Sequence, residues 1–345
     1  MGNGWAGIAR LGGCGDNLVA SSVLGHLAQR YQVEVITRMP QGVVFEGNPH
    51  VSKLTYLREA DLPTDALAWQ TYWANRAHEY DVFVNLSHSC ETMTALFAGQ
   101  SQFYWPEAFR RALCGRSYLE LVHDICGVPH EFNPRFYPSD AEREHAAATK
   151  VKFGERVVGW CLSGTRLDKL YPASSLAIAR IIAELRLPVV MFGGSNRETD
   201  IAATVLAHVE RANGSRDGLH LCMSPDPQVW PLRRSLAQLQ TCDVVIGPDT
   251  GLMWGVAMEP MGKVLMLSHA SPENITKHWR NTVTLHADQT RVPCWPCHRL
   301  HENAATCTPN AANNGAACIS DISVAALMAA VRSLLTEGET NAGNL

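Results

Sequence analysis

Short apolar runs alternate along the chain with longer stretches in which apolar residues recur every three or four positions. Residues 5–9 read as a strand, followed by the turn Gly12-Gly13-Cys14-Gly15-Asp16. Val19, Val23 and Leu27 then predict a helix near 17–30. Val33-Glu34-Val35-Ile36 reads as the next strand, with others near 53–56 and 81–86. A region rich in aromatic and basic residues follows, with Phe103, Tyr104, Trp105, Phe109, Arg110 and Arg111. It reads as a partly buried helix with solvated arginines; a surface facing an acceptor or an anionic membrane is the other reading. Two prolines in 133–139 mark 130–152 as an interdomain connection.

The scheme then repeats. Strands are expected at 157–161, 188–192, 219–222, 243–246 and 263–267, with helices over 173–186, 197–212, 231–241 and 322–335. Alternation of this kind predicts parallel sheets with crossover helices. The fold class is therefore α/β, with two Rossmann-like domains facing across a cleft, divided as 1–150 and 151–345. Open sheets of this type bind ligands beyond the carboxyl ends of their strands. That directs attention to residues 10–16, 162–172, 193–200 and 247–254.

Composition narrows the picture. With 46% hydrophobic and 18% charged residues, both halves can bury a core. A net charge of −4 argues against a nucleic-acid binder, which needs a basic surface. The N-terminal residues do not read as a secretory signal or a myristoylation site, and no apolar run is long enough to span a bilayer. The expectation is a cytoplasmic protein with mostly reduced cysteines.

Each of the four loops carries a plain reading beside a chemical one. Asp16 opens a helix, where a carboxylate caps free N–H groups, the reading that spacing alone favours; a general base at the mouth of the cleft is the chemical reading. In Ser163-Gly164-Thr165-Arg166-Leu167-Asp168-Lys169, a hydroxyl and a point charge suit a diphosphate, while a solvated charged loop is the alternative. Glu198 suits ribose hydroxyls or the first turn of a helix. Asp249-Thr250-Gly251 leads from a strand into a helix, whose N-terminus both needs a cap and attracts phosphate.

Of eleven cysteines, four fall in 294–318: Cys294, Cys297, Cys307 and Cys318, spaced C-x2-C-x9-C-x10-C. A CxxC pair with two further thiols suits a tetrahedral zinc or iron, with His298 or His301 able to replace one ligand. Four protein ligands leave no open position, so the expected role is structural. The motif CxxCH also fits c-type haem attachment, a bare CxxC fits a redox pair, and four free thiols are the plain alternative.

The ordered set of loops resembles glycosyltransferase family 9, the ADP-heptose heptosyltransferases. The similarity rests on the Gly15-Asp16 turn, the Thr165…Lys169…Pro172 loop, the Asp249-Thr250-Gly251 turn and the stretch Asn48-Pro49-His50-Val51. It implies the two-domain GT-B fold, with the donor on the C-terminal domain and the acceptor on the N-terminal one. By resemblance Asp16 is the catalytic base, Thr165 and Lys169 meet the donor diphosphate, Glu198 lies near its adenosine, and Asp249, Thr250 and Gly251 form the donor-binding turn. Two positions depart from the family pattern: Trp254 stands where a His is usual, and Gly164 where a second Thr is expected. Some autotransporter heptosyltransferases resemble the cysteine region in holding an iron on four cysteines.

The expected activity is inverting transfer of heptose from an ADP-sugar donor to a hydroxyl of lipopolysaccharide core or of an autotransporter protein, with no divalent cation needed for catalysis. Peripheral membrane contact and oligomer formation are compatible with it. A nucleotide-sugar epimerase of the same architecture would turn over UDP-sugar without an acceptor. A non-catalytic nucleotide- or metal-binding scaffold would bind ADP without transfer.

Overall fold

The structure, a computed structural model, describes residues 4–87, 89–93, 99–163, 166–300 and 307–342. Its first sheet contains β1 (Gly4–Ala9), β2 (Tyr31–Thr37), β3 (Lys53–Tyr56) and β4 (Val82–Asn85). All pairings are parallel, in the order β3-β2-β1-β4. Around it lie α1 (Cys14–Ser21), α2 (Leu24–Ala28), α3 (Ala66–Ala77), α4 (Ser89–Met93), α5 (Glu107–Cys114), α6 (Tyr118–Cys126) and α7 (Asp140–Phe153).

The second sheet contains β5 (Val158–Cys161), β6 (Val189–Gly193), β7 (Leu219–Met223), β8 (Val244–Pro248), β9 (Gly262–Met266) and β10 (Thr282–Leu285), again all parallel. Their order is β10-β9-β8-β5-β6-β7. The accompanying helices are α8 (Ser174–Arg180), α9 (Asn196–Asn213), α10 (Leu232–Leu239), α11 (Gly251–Trp254), α12 (Pro272–Ile275), α13 (Ala317–Ser320) and α14 (Val324–Ala342). β5, β6, β8 and β9 are buried along their whole length. Helices cover both faces of such strands, which therefore read as continuous apolar runs.

Four elements differ from the sequence expectation. The helix expected over 17–30 breaks at Ser22-Val23, between α1 and α2. The hydroxyls of Ser21 and Ser22 accept from the backbone N–H groups of Arg135 and Asn133, so they tie the interdomain connection to the break. The helix expected over 173–186 tightens to α8 and continues as a π turn over 181–185, ending at Arg186 in the left-handed region. Neither α3 nor β10 was expected. α3 starts at Asp65, whose side chain accepts from Ala68 N, and its Trp69 and Trp73 rings stack on one another.

The interdomain connection is anchored on the second lobe. Arg233 of α10 pairs with Glu142 of α7 at 2.7 Å and donates to the carbonyls of Val43, Glu46 and Tyr137. One guanidinium thus ties together the first lobe, the connection and the second lobe. One apolar cluster also continues from Leu18 and Val19 of α1 into Trp254 and Trp279 of the second lobe.

Each sheet reverses its strand order once: between β1 and β4 in the first, and between β5 and β8 in the second. At such a reversal, neighbouring connections leave toward opposite faces and open a crevice. The charged residues described next come from the loops that follow these four strands.

Candidate active site

Arg10 follows β1 and is almost wholly buried. Its guanidinium faces two carboxylates. Nη2 lies 2.9 Å from Asp16 Oδ1 and 2.9 Å from Glu91 Oε1, and Nη1 donates to Glu91 Oε2 at 3.2 Å and to the Leu86 carbonyl at 2.7 Å. Glu91 belongs to α4, just beyond β4, so the trio spans the strand-order reversal of the first sheet. Leu11 N donates to Ser87 Oγ and ties the same two loops together.

Asp16 is the third residue of α1, and Gly13 rather than Asp16 is the N-cap. Its Oδ2 accepts from Gly13 N at 2.6 Å, the reciprocal half of a capping box. Capping therefore uses one oxygen and leaves the other on Arg10. A Cβ on Gly12 would lie 2.5 Å from the same Oδ2, so only glycine lets the turn fold around this carboxylate. Burial pushes the Asp16 carboxyl above its usual range; the charge of Arg10 opposes this and that of Glu91 reinforces it.

The second sheet supplies the opposite wall. Lys169 ends a short 3-10 turn (Leu167–Lys169) beyond β5. Its Nζ donates to the Asp249 backbone carbonyl at 2.7 Å and to Asp249 Oδ2 at 2.9 Å. Asp249 follows β8, and Trp254 donates its indole N–H to the other oxygen, Oδ1, at 3.0 Å. Burial works to raise the Asp249 carboxyl, but the charges of Lys169 and His269 and these hydrogen bonds hold it below its usual range. Thr250 is the backbone N-cap of α11, and its buried Oγ1 has no hydrogen-bond partner among the described residues.

The two walls touch. A Cβ on Gly251 would lie 2.7 Å from Cys14 Cβ and 3.0 Å from Gly15 N. A Cβ on Gly15 would lie 3.1 Å from the Trp254 ring. The start of α1 and the start of α11 thus meet backbone to backbone, which sets Asp16 opposite the 249–251 turn. Glu198 stands further along the second sheet. Its Oε2 accepts from Gly194 N, Ser195 N and Ser195 Oγ in a capping box, and its Oε1 accepts from Ser163 Oγ at 3.3 Å. Thr165 lies outside the described residues. Asn48 Oδ1 accepts from His50 N, so that stretch forms an Asx turn.

Cys294, Cys297, Cys307 and Cys318 all line one cavity of about 110 Å³, together with Asp168, Ser268 and His269. None of the four is joined in a disulfide among the described residues. Burial and mutual repulsion push the Cys297 thiol up to about 12 and that of Cys307 to about 11. Among the described residues, no group of three or more His, Cys, Asp or Glu side chains stands in metal-binding array. His301 lies outside the described residues. His298 is buried, and its backbone N–H donates to the His269 carbonyl at 2.8 Å.

The arginines of α5 are not simply solvated, contrary to the sequence reading. Arg110 is buried; its Nε donates to the Cys297 carbonyl at 3.1 Å. Arg111 donates to the carbonyls of Pro293 and Pro296. The first lobe thereby clasps the backbone of the cysteine loop, which satisfies carbonyls that a loop without regular structure leaves open.

Four polar residues here escape sequence reasoning: Arg10, Glu91, Asp168 and His269. Asp168 is buried, with Oδ2 3.5 Å from His269 Nδ1 and 3.4 Å from Ser268 Oγ. Burial works to raise its carboxyl, but His269 and Lys169 hold it below its usual range. A signal existed for His269, which lies in the loop after β9 at the carboxyl edge of the sheet. Arg10 also gave one, as a charge closing the apolar run of β1. Glu91 gave none.

The profile of glycosyltransferase family 9 (heptosyltransferase) matches residues 107–294, more than half of the chain. No curated protein matches in sequence. Among solved structures, a family 9 glycosyltransferase from Veillonella parvula superposes with a TM-score of 0.66 at 13% identity, over 98% of each chain. The ADP-heptose lipopolysaccharide heptosyltransferase II of E. coli gives 0.63 at 15% identity, over 97% of this chain and 99% of that one. The iron-containing dodecameric glycosyltransferase TibC of enterotoxigenic E. coli gives 0.58 at 12% identity, over 98% and 77%. At such identities the structural likeness speaks for the fold, two Rossmann-like domains of GT-B type. Among the described residues no helix is long and apolar enough to cross a membrane. From the profile match and the fold together, the chain is a glycosyltransferase and belongs to glycosyltransferase family 9, the heptosyltransferase family.

Proposed function

We propose that the chain is an inverting heptosyltransferase that moves heptose from ADP-heptose to an acceptor hydroxyl, on lipopolysaccharide core or on a protein serine or threonine. Residues 1–150 would bind the acceptor and 151–345 the donor. The observation that carries this reading is the opposition of Asp16 to the Asp249-Thr250-Gly251 turn across the contact between α1 and α11. The similar E. coli heptosyltransferase WaaC has been solved with ADP-2-deoxy-2-fluoro heptose and with ADP, which agrees with the donor proposed.

In this scheme the acceptor oxygen attacks the anomeric carbon as the bond from that carbon to the ADP oxygen breaks. The hydroxyl proton passes to Asp16, whose raised affinity for protons suits a base. Lys169 faces the departing diphosphate. Two of its three N–H bonds are committed to Asp249, which orients the third. Asp249 therefore acts through Lys169, while the Thr250 hydroxyl and the Gly251 N–H donate to phosphate oxygens. Thr165 is assigned to the same diphosphate and Glu198 to the adenosine side. No divalent cation is required, because the lysine and the backbone donors carry the leaving-group charge.

The reading extends to a structural zinc or iron held by Cys294, Cys297, Cys307 and Cys318, whose side chains line one cavity but would have to draw together to reach a metal-binding array. Burial makes the Cys297 and Cys307 thiolates costly until a cation offsets their charge. A bound ion would staple the loop and take no part in transfer. The similar glycosyltransferase TibC is iron-containing, which is in keeping with this.

The test follows ADP release from ADP-heptose alone, with lipopolysaccharide core, and with an autotransporter passenger protein. One acceptor should raise ADP release, and Asp16→Asn should lower that rate at least about a hundredfold while ADP still binds. Normal turnover by Asp16→Asn would remove the proposed base.

A further inference from the structure

Asp16 shares its guanidinium partner with a second acid that the transfer scheme does not use. Glu91 is buried beside Arg10 and takes both Nη groups, whereas Asp16 takes only Nη2. A buried guanidinium between two carboxylates divides one positive charge between them. We propose that Arg10 and Glu91 are positioning residues for the transfer: Arg10 holds the Asp16 carboxylate toward the gap between the lobes, and Glu91 fixes Arg10 and withdraws part of its charge from Asp16.

This rests on the reading of Asp16 as the base. The geometry explains the need for a third group. Arg10 alone, bound to Asp16 inside the protein, would make its carboxylate a weak acceptor of protons. Glu91 prevents that in two ways. It carries a like charge close by, and it competes for the same Nη2, which lies 2.9 Å from each acid. The Leu86 carbonyl receives the remaining Nη1 bond and fixes the plane of the guanidinium. Other titratable groups near Asp16 are Cys90 on α4 and Cys14 on its own helix. Both thiols are pushed up to about 12, so they stay neutral while Asp16 titrates. From α11 the contacts are Gly251 and Trp254, which carry no charge.

The two partners should shift Asp16 in opposite directions, which a purely structural role would not do. In Glu91→Gln the amide keeps the hydrogen bond to Arg10 but loses the charge. The Asp16 titration midpoint should fall by about one unit, within the range usual for a carboxylate beside a cation. In Arg10→Met it should rise by at least as much. The probe is a carbon-13 NMR titration of aspartate carboxyls in the full chain, with the Asp16 signal identified by its loss in Asp16→Asn. The rate of ADP release from ADP-heptose, on the acid limb of its pH profile, should rise about tenfold in Glu91→Gln and fall about tenfold in Arg10→Met. Arg10→Met leaves Glu91 buried without its partner, so if it does not fold, Glu91→Gln decides the matter alone. An Asp16 midpoint in Glu91→Gln within about 0.3 units of the parent overturns the inference, even where Asp16→Asn is inactive. Full turnover by Asp16→Asn instead overturns the base assignment, whatever the titration gives.

Discussion

The indole N–H of Trp254 donates to Oδ1 of Asp249 at 3.0 Å. Lys169 holds the other oxygen, so the buried carboxylate has a partner on each side. The tryptophan thus serves as a hydrogen-bond donor to the 249–251 turn, and it packs edge-on against Trp279 with 4.9 Å between ring centroids.

Trp254→Phe keeps most of that packing and removes the donor. A buried carboxylate short of one hydrogen bond should cost about 1.5–3 kcal/mol of stability. Urea denaturation of the two proteins measures it. A difference below about 0.5 kcal/mol would mean that the bond contributes little.

Gly251→Ala places a carbon against Cys14 and the Gly15 backbone. The lobes must give way by a fraction of an ångström to an ångström, which is enough to reduce transfer about a hundredfold. Adding Cys14→Gly relieves the nearer clash and should restore at least part of the rate. Equal activity of Gly251→Ala and the parent in ADP release would show that the contact is not tight in solution.

Acid should destabilise the fold before its carboxylates titrate. His123 is buried, with Nδ1 donating to the Pro129 carbonyl at 2.5 Å and Nε2 accepting from Ser22 Oγ at 2.8 Å. Burial pushes its pKa down to about 4 from an ordinary value of 6.5. Between those values the unfolded chain binds a proton that the folded one refuses, so stability is full above pH 6.5 and is lost as the pH falls toward 4. The loss should be of the order of 2 kcal/mol, allowing for residual hydration. Urea midpoints of the parent and of His123→Gln between pH 4 and 7 test this: the variant should show a flatter slope.

Elemental analysis of purified protein should find about one zinc or iron per chain, and Cys297→Ser should lose most of it. Removing the ion with a chelator should lower the thermal midpoint, because a structural metal contributes folding energy directly. Protein free of metal with an unchanged midpoint would leave the cysteines as plain buried thiols.

The sequence reveals the parts of this molecule whose cause is local. β5, β6, β8 and β9 stand out because strands covered on both faces need apolar residues throughout. The loops carrying Asp16, Lys169 and Asp249 stand out because they follow strands, where crevices form. Arg10 and Glu91 escape notice because 81 positions separate them and only the β1–β4 pairing joins them. Asp168 is hidden in the same way: its partners Ser268 and His269 arrive from the far loop after β9. The Arg110 contact to the cysteine loop is also a product of tertiary docking, which helical periodicity does not encode.

Where Gly251 bears on Cys14 and Gly15, its bare Cα lies against the Cys14 side chain and the Gly15 backbone with no room for a further carbon. A contact that close sets the gauge of the crevice floor: neither wall can advance on the other without collision, so the spacing between the Asp16 and Asp249 loops is fixed by the absence of a single methyl group.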